Sequence, residues 1–220
     1  MAVWGAEPTR VSWEWRVFRQ VPHGDPALYH SAGAATPDQP SGRWHRVGEG
    51  YAQYFALEPL ASWAELVRNE GVRTAAHAAT FHRDLYFALV TETDIADLST
   101  FDDYENCGLD PRIAVGEHAE SQALADDLRA AGFRGVLSPN AALPFGTSLT
   151  VFGERYEKVL ETGIHTWANP DAERWVPVSL AANGTPPDAL RMRTCFPGMQ
   201  HEAYRDWLKR KGRPAPPGAP

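Results

Sequence analysis

The sequence lacks a long hydrophobic run. No stretch of about 18 consecutive apolar residues, the length needed to cross a bilayer, occurs among its 220 residues. Residues 1–10 also lack the basic segment followed by an apolar one that is typical of a secretory signal. We therefore expect a cytoplasmic protein that does not associate with membranes.

Cysteine is scarce. The chain has two, Cys107 and Cys195, and neither belongs to a CxxC pair or a Cys/His spacing typical of zinc. This usage favours a reducing compartment and predicts that both thiols are buried. His77 and His82 are five residues apart, unlike the i, i+4 pair of a helical zinc motif. We therefore predict no metal site.

Glycine-rich phosphate-binding motifs are missing as well. The chain contains neither GxGxxG nor a P-loop, which argues against a Rossmann domain or an NTPase, and the lack of GxSxG argues against a serine hydrolase. A formal charge of −7 opposes direct binding of nucleic acid, because the phosphates would be repelled. A small anion could still bind in a local basic pocket.

The sequence predicts short strands interspersed with two helices. The chain is long enough for one domain. Strands are predicted over 12–19, 51–55, 85–91, 134–137 and 147–152. Apolar spacing, Pro59 near the start and Gly71 at the end predict a helix over 58–71, with Leu60, Trp63, Ala64 and Val67 facing inward. A second helix is predicted over 117–131, and residues 92–110 are predicted to be a connection. The predicted fold class is α+β.

Three polar residues could meet in one cleft, because they lie on a loop, a strand and a helix in succession. Arg43 could bind a pyrophosphate through two hydrogen bonds, the Tyr54 ring could stack on nicotinamide, and Glu65 could offset positive charge on a ribose. Those are the groups that cleavage of NAD⁺ requires. The pattern also allows simpler interpretations: a solvated Glu65 paired with Arg68 or Asn69, a core Tyr54, and a surface cation–π pair of Arg43 with its neighbour Trp44.

The segment over 42–68, GRWHRVGEGYAQYFALEPLASWAELVR, resembles the RES domain family. It has the Gly-Arg-Trp-Asn/His, Gly, Tyr and Ala-x-x-Glu pattern of that family in the correct order. WRVFR at 15–19, residues 121–142 and residues 148–155 are similar to other blocks of the family. The resemblance covers roughly 15–155. We assign 12–168 to the RES domain, 169–208 to a C-terminal extension and 209–220 to a disordered tail.

This resemblance implies a fold related to ADP-ribosyltransferases and an enzyme that degrades NAD⁺ as a toxin. It implies NAD⁺ as the substrate with no other cofactor, and an Xre-type antitoxin as a partner, with a homodimer left open. We expect cleavage of the nicotinamide–ribose bond with water or phosphate as acceptor. The alternatives are transfer of ADP-ribose to a macromolecule and a binding module without catalysis.

The resemblance also assigns residues to the site. Position by position, the catalytic residues of the family correspond to Arg43, Tyr54 and Glu65. Asn140 stands where the family usually has Ser, and Ser138 lies two residues earlier. The residues expected to bind NAD⁺ are Arg43, Tyr54, Trp44, Arg16, Ser138 and Asn140.

Overall fold

The computed structural model describes residues 4–25, 27, 41–47, 52–153, 157–160, 165–169, 172–176 and 178–214. The strands are β1 (Thr9–Pro22), β2 (Ala52–Ala56), β3 (Arg83–Asp97), β4 (Gly135–Pro139), β5 (Thr147–Phe152), β6 (Glu157–Leu160), β7 (His165–Asn169), β8 (Ala172–Val176) and β9 (Val178–Gly184). The helices are α1 (Pro59–Asn69), α2 (Ala75–Ala78), α3 (Phe101–Asn106), α4 (His118–Ala130) and α5 (Glu202–Arg210), with 3-10 turns at Pro111–Ala114 and Asp188–Met192. Strands and helices share one fold, so the predicted α+β class is confirmed.

Six strands form the main sheet in the order β1-β2-β5-β4-β3-β9. Strand β1 also pairs with β3, so the first five strands close into a ring. Strands β3 and β4 are parallel, whereas the other neighbours in this sheet are antiparallel. Strands β6, β7 and β8 form a separate antiparallel sheet. Apolar side chains such as Val17, Phe55 and Leu149 pack together on one side of the ring strands.

Helix α1 forms where the sequence predicts it. Pro59 occupies the first turn, and Gly71 follows the helix with φ 62, a left-handed conformation that glycine adopts without strain. Trp63, Ala64 and Val67 are buried as expected, but Leu60 is 38% exposed, so its assignment to the inward stripe is wrong.

Strand β3 is longer than predicted. It continues through 92–97, where the sequence predicts a connection, and α3 follows it. Glu92 can enter the strand because its buried carboxylate pairs with Arg134 at 3.4 Å. The strand thereby reaches β4, with Ile95 opposite Gly135.

The segment predicted as a C-terminal extension is part of the same sheet and core. Strand β9 pairs with β3, and Trp207 of α5 is buried in the core. Helix α5 continues to Arg210, and Lys211 then pairs with Asp102 at 2.8 Å, so the boundary drawn for a tail at residue 209 is too early. Residues 215–220 of that predicted tail, and residues 48–51 of the RES-like segment, lie outside the described residues. No helix in the described part of the chain is both long and apolar enough to span a membrane.

Candidate functional site

A cleft of about 440 Å³ lies between helix α1, strands β2, β4 and β5, and the turn that precedes β2. This volume falls within the range of roughly 300–1,000 Å³ that is usual for small-molecule sites. The structure brings most of the predicted site residues to its wall: Arg43, Trp44, Tyr54, Glu65, Ser138 and Asn140. Residues far apart in sequence therefore share one hollow.

Helix α4 holds the turn that carries Arg43. The Ser121 hydroxyl lies 2.8 Å from the backbone carbonyl of Arg43, and Arg129 Nη2 donates to the carbonyl of Trp44 at 2.7 Å. The Arg43 side chain itself donates to the carbonyl of Gly116 at 2.9 Å. Burial lowers the pKa of Arg43, which nevertheless remains a cation at neutral pH. The guanidinium is thus fixed at the wall of the cleft rather than mobile on the surface.

Tyr54 and the turn at Gly42 approach each other closely. The Tyr54 hydroxyl accepts from the backbone N–H of Trp44 at 2.9 Å and lies 2.8 Å from Nδ1 of His45, to which it can donate. A Cβ atom at residue 42 would lie 2.5 Å from the Tyr54 hydroxyl and 2.8 Å from the His45 ring. Only glycine fits there, which gives a physical reason for the Gly-Arg-Trp sequence.

Glu65 is half-buried as a residue, with its carboxylate enclosed in the cleft. Burial raises the pKa of this carboxyl above its ordinary value of 4.5, while the positive charges of Arg68 and Arg43 and hydrogen bonds from the Asn140 side chain and the Ala142 backbone oppose the rise. The carboxylate is therefore surrounded by positive charge and N–H donors. The simpler interpretation of a solvated Glu65 is wrong.

Asn140 is 1% exposed and has a fixed orientation. Its Oδ1 accepts from the backbone N–H groups of Ala142 at 3.0 Å and Leu143 at 2.6 Å, an Asx-type turn. Its Nδ2 must therefore point the other way, and it donates to the Ser148 hydroxyl at 2.8 Å. Ser138, paired with Ser148 across β4 and β5, is also buried and lines the cleft. Asn140, which stands where the resemblance predicts serine, thus offers a hydrogen bond to the neighbouring Glu65 carboxylate.

Two further predicted residues lie in different surroundings. Trp44 is 1% exposed and belongs to the hydrophobic core behind the cleft as well as to its wall. Arg16 is on β1, opposite Leu89 of β3. Its side chain is exposed and does not line the cleft. Arg16 shares a face of β1 with the cleft residues Phe18 and Gln20, but it lies further along the strand, and the structure does not bring it to the cleft lining.

The cleft lining also contains residues that sequence reasoning missed, among them Arg19, Gln20, Arg68 and His118. Arg68 follows Glu65 by one helical turn, and that spacing was interpreted as a surface pair. Its guanidinium donates instead to the carbonyl of Cys195 at 2.5 Å, which keeps it half-buried beside Glu65. Burial and the nearby arginines lower the pKa of His118, so this side chain is neutral at pH 7.

A family model for the RES domain matches residues 14–175, which is most of the chain. The chain belongs to the RES family. The resemblance drawn from residues 42–68 is thereby confirmed, and the cleft described above lies within this RES domain.

Two known proteins resemble this RES-family chain. It is 30% identical over 131 residues to a Mycobacterium tuberculosis protein named "Probable NAD(+) phosphorylase", a match that covers 59% of this chain and 62% of that protein. The chain thus spans less than two thirds of the length of this relative. Its fold resembles a chain in the crystal structure of the M. tuberculosis MbcT-MbcA toxin-antitoxin complex, with a TM-score of 0.56 and 21% identity over 83% of this chain and 90% of that one. At this identity the second likeness shows the fold alone.

Proposed function

We propose that this RES-family protein cleaves the bond between nicotinamide and ribose in NAD⁺. The observation that carries the proposal is the enclosed Glu65 carboxylate, which shares a cleft of ligand size with the Arg43 and Arg68 side chains and is stabilised by their positive charge. The relative named as a probable NAD(+) phosphorylase supports the same substrate.

Glu65 would act on the charge that develops during cleavage. When the bond to ribose breaks, its electron pair stays with nicotinamide, which leaves as a neutral base, and positive charge spreads over C1″ and the ring oxygen of the ribose. A carboxylate already held in place stabilises that charge without further reorganisation. The Asn140 side chain and the Ala142 N–H help to keep Glu65 ionised, because both hydrogen bonds favour its charged form.

Arg43 and Arg68 would bind the anionic part of the substrate. Two guanidinium groups near one cleft suit a pyrophosphate, which accepts several charge-assisted hydrogen bonds. Tyr54 would contribute its ring and not its proton, since burial raises the pKa of its phenol and its hydroxyl is bonded to the Trp44 backbone. In this assignment the arginines bind, Tyr54 positions, and Glu65 stabilises the transition state.

Phosphate is the acceptor that we favour. Attack by a phosphate oxygen on C1″ forms ADP-ribose 1″-phosphate, whereas attack by water forms ADP-ribose and releases a proton. The positive charges of Arg43 and Arg68 would draw a second anion into the cleft. The name of the relative agrees with this choice.

The test is incubation of the purified protein with NAD⁺ in buffers with and without phosphate, with products separated by chromatography and identified by ³¹P NMR. We expect nicotinamide release in both the wild type and Glu70→Gln, because Glu70 is an exposed residue at the end of the same helix. Glu65→Gln should lower turnover by about 100-fold or more. Equal release by Glu65→Gln and the wild type would refute the role of Glu65, and ADP-ribose found only on protein would indicate a transferase.

We also propose that the protein is the toxin of a two-protein system. This rests on family membership and on a fold shared with a chain of a toxin-antitoxin complex. Expression of the wild type should stop bacterial growth while intracellular NAD⁺ falls, and Glu65→Gln should do neither. If an adjacent gene encodes a small helix-turn-helix protein, its co-expression should restore growth.

A further inference from the structure

A short segment beyond the RES match holds the Glu65 side of the cleft. The backbone N–H of Cys195 donates to the carbonyl of Ala142 at 2.7 Å, and the carbonyl of Cys195 accepts from Arg68 at 2.5 Å. The match to the family model ends at residue 175, so these contacts come from outside it. Both Ala142 and Arg68 act directly on the Glu65 carboxylate.

His201 makes the third contact of this segment. Its Nε2 lies 3.0 Å from the backbone carbonyl of Asn140, and because a carbonyl can only accept, the proton must be on Nε2. The residue is 4% exposed, and it lies immediately before α5, whose buried Trp207 fixes that helix to the core. Burial lowers the pKa of His201 to about 4, so the ring is neutral at physiological pH. His201 is therefore a fixed, neutral donor aimed at Asn140.

The hydrogen bond between His201 and the Asn140 carbonyl affects Glu65 indirectly, through the position of the Asn140 side chain. The side-chain oxygen of Asn140 is occupied by the N–H groups of Ala142 and Leu143, so the amide plane is tied to the backbone that His201 holds. The same side chain hydrogen-bonds Glu65. A shift of the Asn140 carbonyl would therefore move two donors of the carboxylate together, the Asn140 amide and the Ala142 N–H.

We propose that His201 is a positioning residue that fixes the Glu65 carboxylate through Asn140. It does not line the cleft, so it acts without touching the substrate. The kinetic part of this inference rests on the proposed cleavage of NAD⁺, whereas the structural part does not. Because His201 lies outside the RES match, a comparison limited to the family motif would not find it.

The variants His201→Leu and His201→Gln test the kinetic part. Leucine removes the donor, and we expect kcat to fall about 10-fold with little change in the KM for NAD⁺, since one hydrogen bond that aligns the carboxylate is lost. The amide of glutamine can place an N–H near the position of Nε2, so His201→Gln should return kcat to within about 2-fold of the wild type. His77→Leu is the matched control, because His77 is exposed and does not line the cleft.

NMR tests the structural part without any need for activity. In His201→Leu the ¹³C titration of Glu65 should show a higher pKa than in the wild type, and the Leu143 amide should exchange faster with solvent. Both should return toward wild-type values in His201→Gln. If His201→Leu does not fold, His201→Asn, whose shorter side chain withdraws the donor, is used with the same expectations.

The outcomes separate the two proposals. A wild type that releases no nicotinamide overturns the proposed function, while the NMR results still decide on His201. An unchanged Glu65 pKa and unchanged Leu143 exchange in a folded His201→Leu protein overturn the positioning role, whatever the activity.

Discussion

The Tyr54 hydroxyl accepts a hydrogen bond from the backbone N–H of Trp44 over 2.9 Å. This bond ties strand β2 to the turn that carries Arg43, because Trp44 follows Arg43 and lies ten residues before Tyr54. A tyrosine is required for it, because phenylalanine would fill the same space without offering an acceptor. Tyr54 therefore shapes the cleft in addition to any contact that it makes with a substrate.

Tyr54→Phe should weaken both stability and activity. The Trp44 N–H would lose its acceptor in a half-buried environment, and we expect the free energy of unfolding to fall by about 1–3 kcal/mol. Nicotinamide release should fall by about 10-fold as Arg43 loses its fixed position. Urea unfolding and the NAD⁺ assay measure these effects. Tyr204→Phe is the control, because it keeps the ring that stacks on Trp207. An unchanged urea midpoint for Tyr54→Phe would contradict the structural role of the Tyr54 hydroxyl.

Gly42→Ala should disturb the same turn by a steric route. The added methyl would lie 2.5 Å from the Tyr54 hydroxyl and 2.8 Å from the His45 ring, so the turn has to move. We expect a loss of about 1–3 kcal/mol in stability and of at least 10-fold in kcat/KM. Thermal unfolding and the NAD⁺ assay measure this. The control is Gly5→Ala, whose new Cβ would lie an ordinary 3.8 Å from the backbone carbonyl oxygen of Cys107. If Gly42→Ala is as stable and active as Gly5→Ala, the turn tolerates a side chain and the prediction is wrong.

The pH dependence of kcat/KM should report the ionisation of Glu65. Burial raises the pKa of this carboxyl above 4.5, and only its charged form stabilises a cationic transition state. Activity should therefore be complete well above the raised pKa and fall about tenfold per pH unit below it. The measurement is initial-rate kinetics between pH 4.5 and 8, with circular dichroism at each pH to confirm that the protein remains folded. A rate that stays constant from pH 8 down to pH 4.5 would contradict this assignment.

The free energy of unfolding should decrease as the pH is lowered, because of His201. Its pKa in the folded protein is about 4, below the ordinary 6.5, so between these values the unfolded chain binds a proton that the folded protein does not. The contribution is fully present above pH 6.5 and decreases by up to about 1.4 kcal/mol per pH unit as pH falls toward 4. From pH 7 to pH 5 the wild type should lose about 1–2 kcal/mol more than His201→Gln. Urea unfolding at both pH values measures the difference, and parallel losses in the two proteins would exclude His201 as the cause.

The local elements of the fold could be predicted from the sequence because their signals lie within the elements themselves. Pro59 and Gly71 delimit α1, and Gly132, with φ 81, follows α4. The extent of β3 could not be predicted in this way. Its second half is acidic, and Glu92 is accommodated by Arg134, a partner 42 residues away that local hydropathy does not reveal.

The site was partly predictable for a similar reason. The RES-like spacing singles out Arg43, Tyr54 and Glu65, and the structure places all three at one cleft. Arg68 was missed because its position on α1 suggested a surface ion pair, and only the carbonyl of Cys195, distant in sequence, explains its burial. Arg16 belongs to the WRVFR block and shares a face of β1 with the cleft residues Phe18 and Gln20, but its distance along the strand, which local sequence does not reveal, leaves it outside the cleft lining.

The contacts from Cys195 and His201 to the Glu65 side of the cleft also determine when the cleft forms during synthesis. A chain emerging from the ribosome exposes Arg68 and Asn140 well before residues 195–201, so both lack these partners until that later segment has emerged. The unfinished polypeptide would hold the Glu65 region loosely. The Glu65 side of the cleft is therefore completed only once residues 195–201 can pack against it.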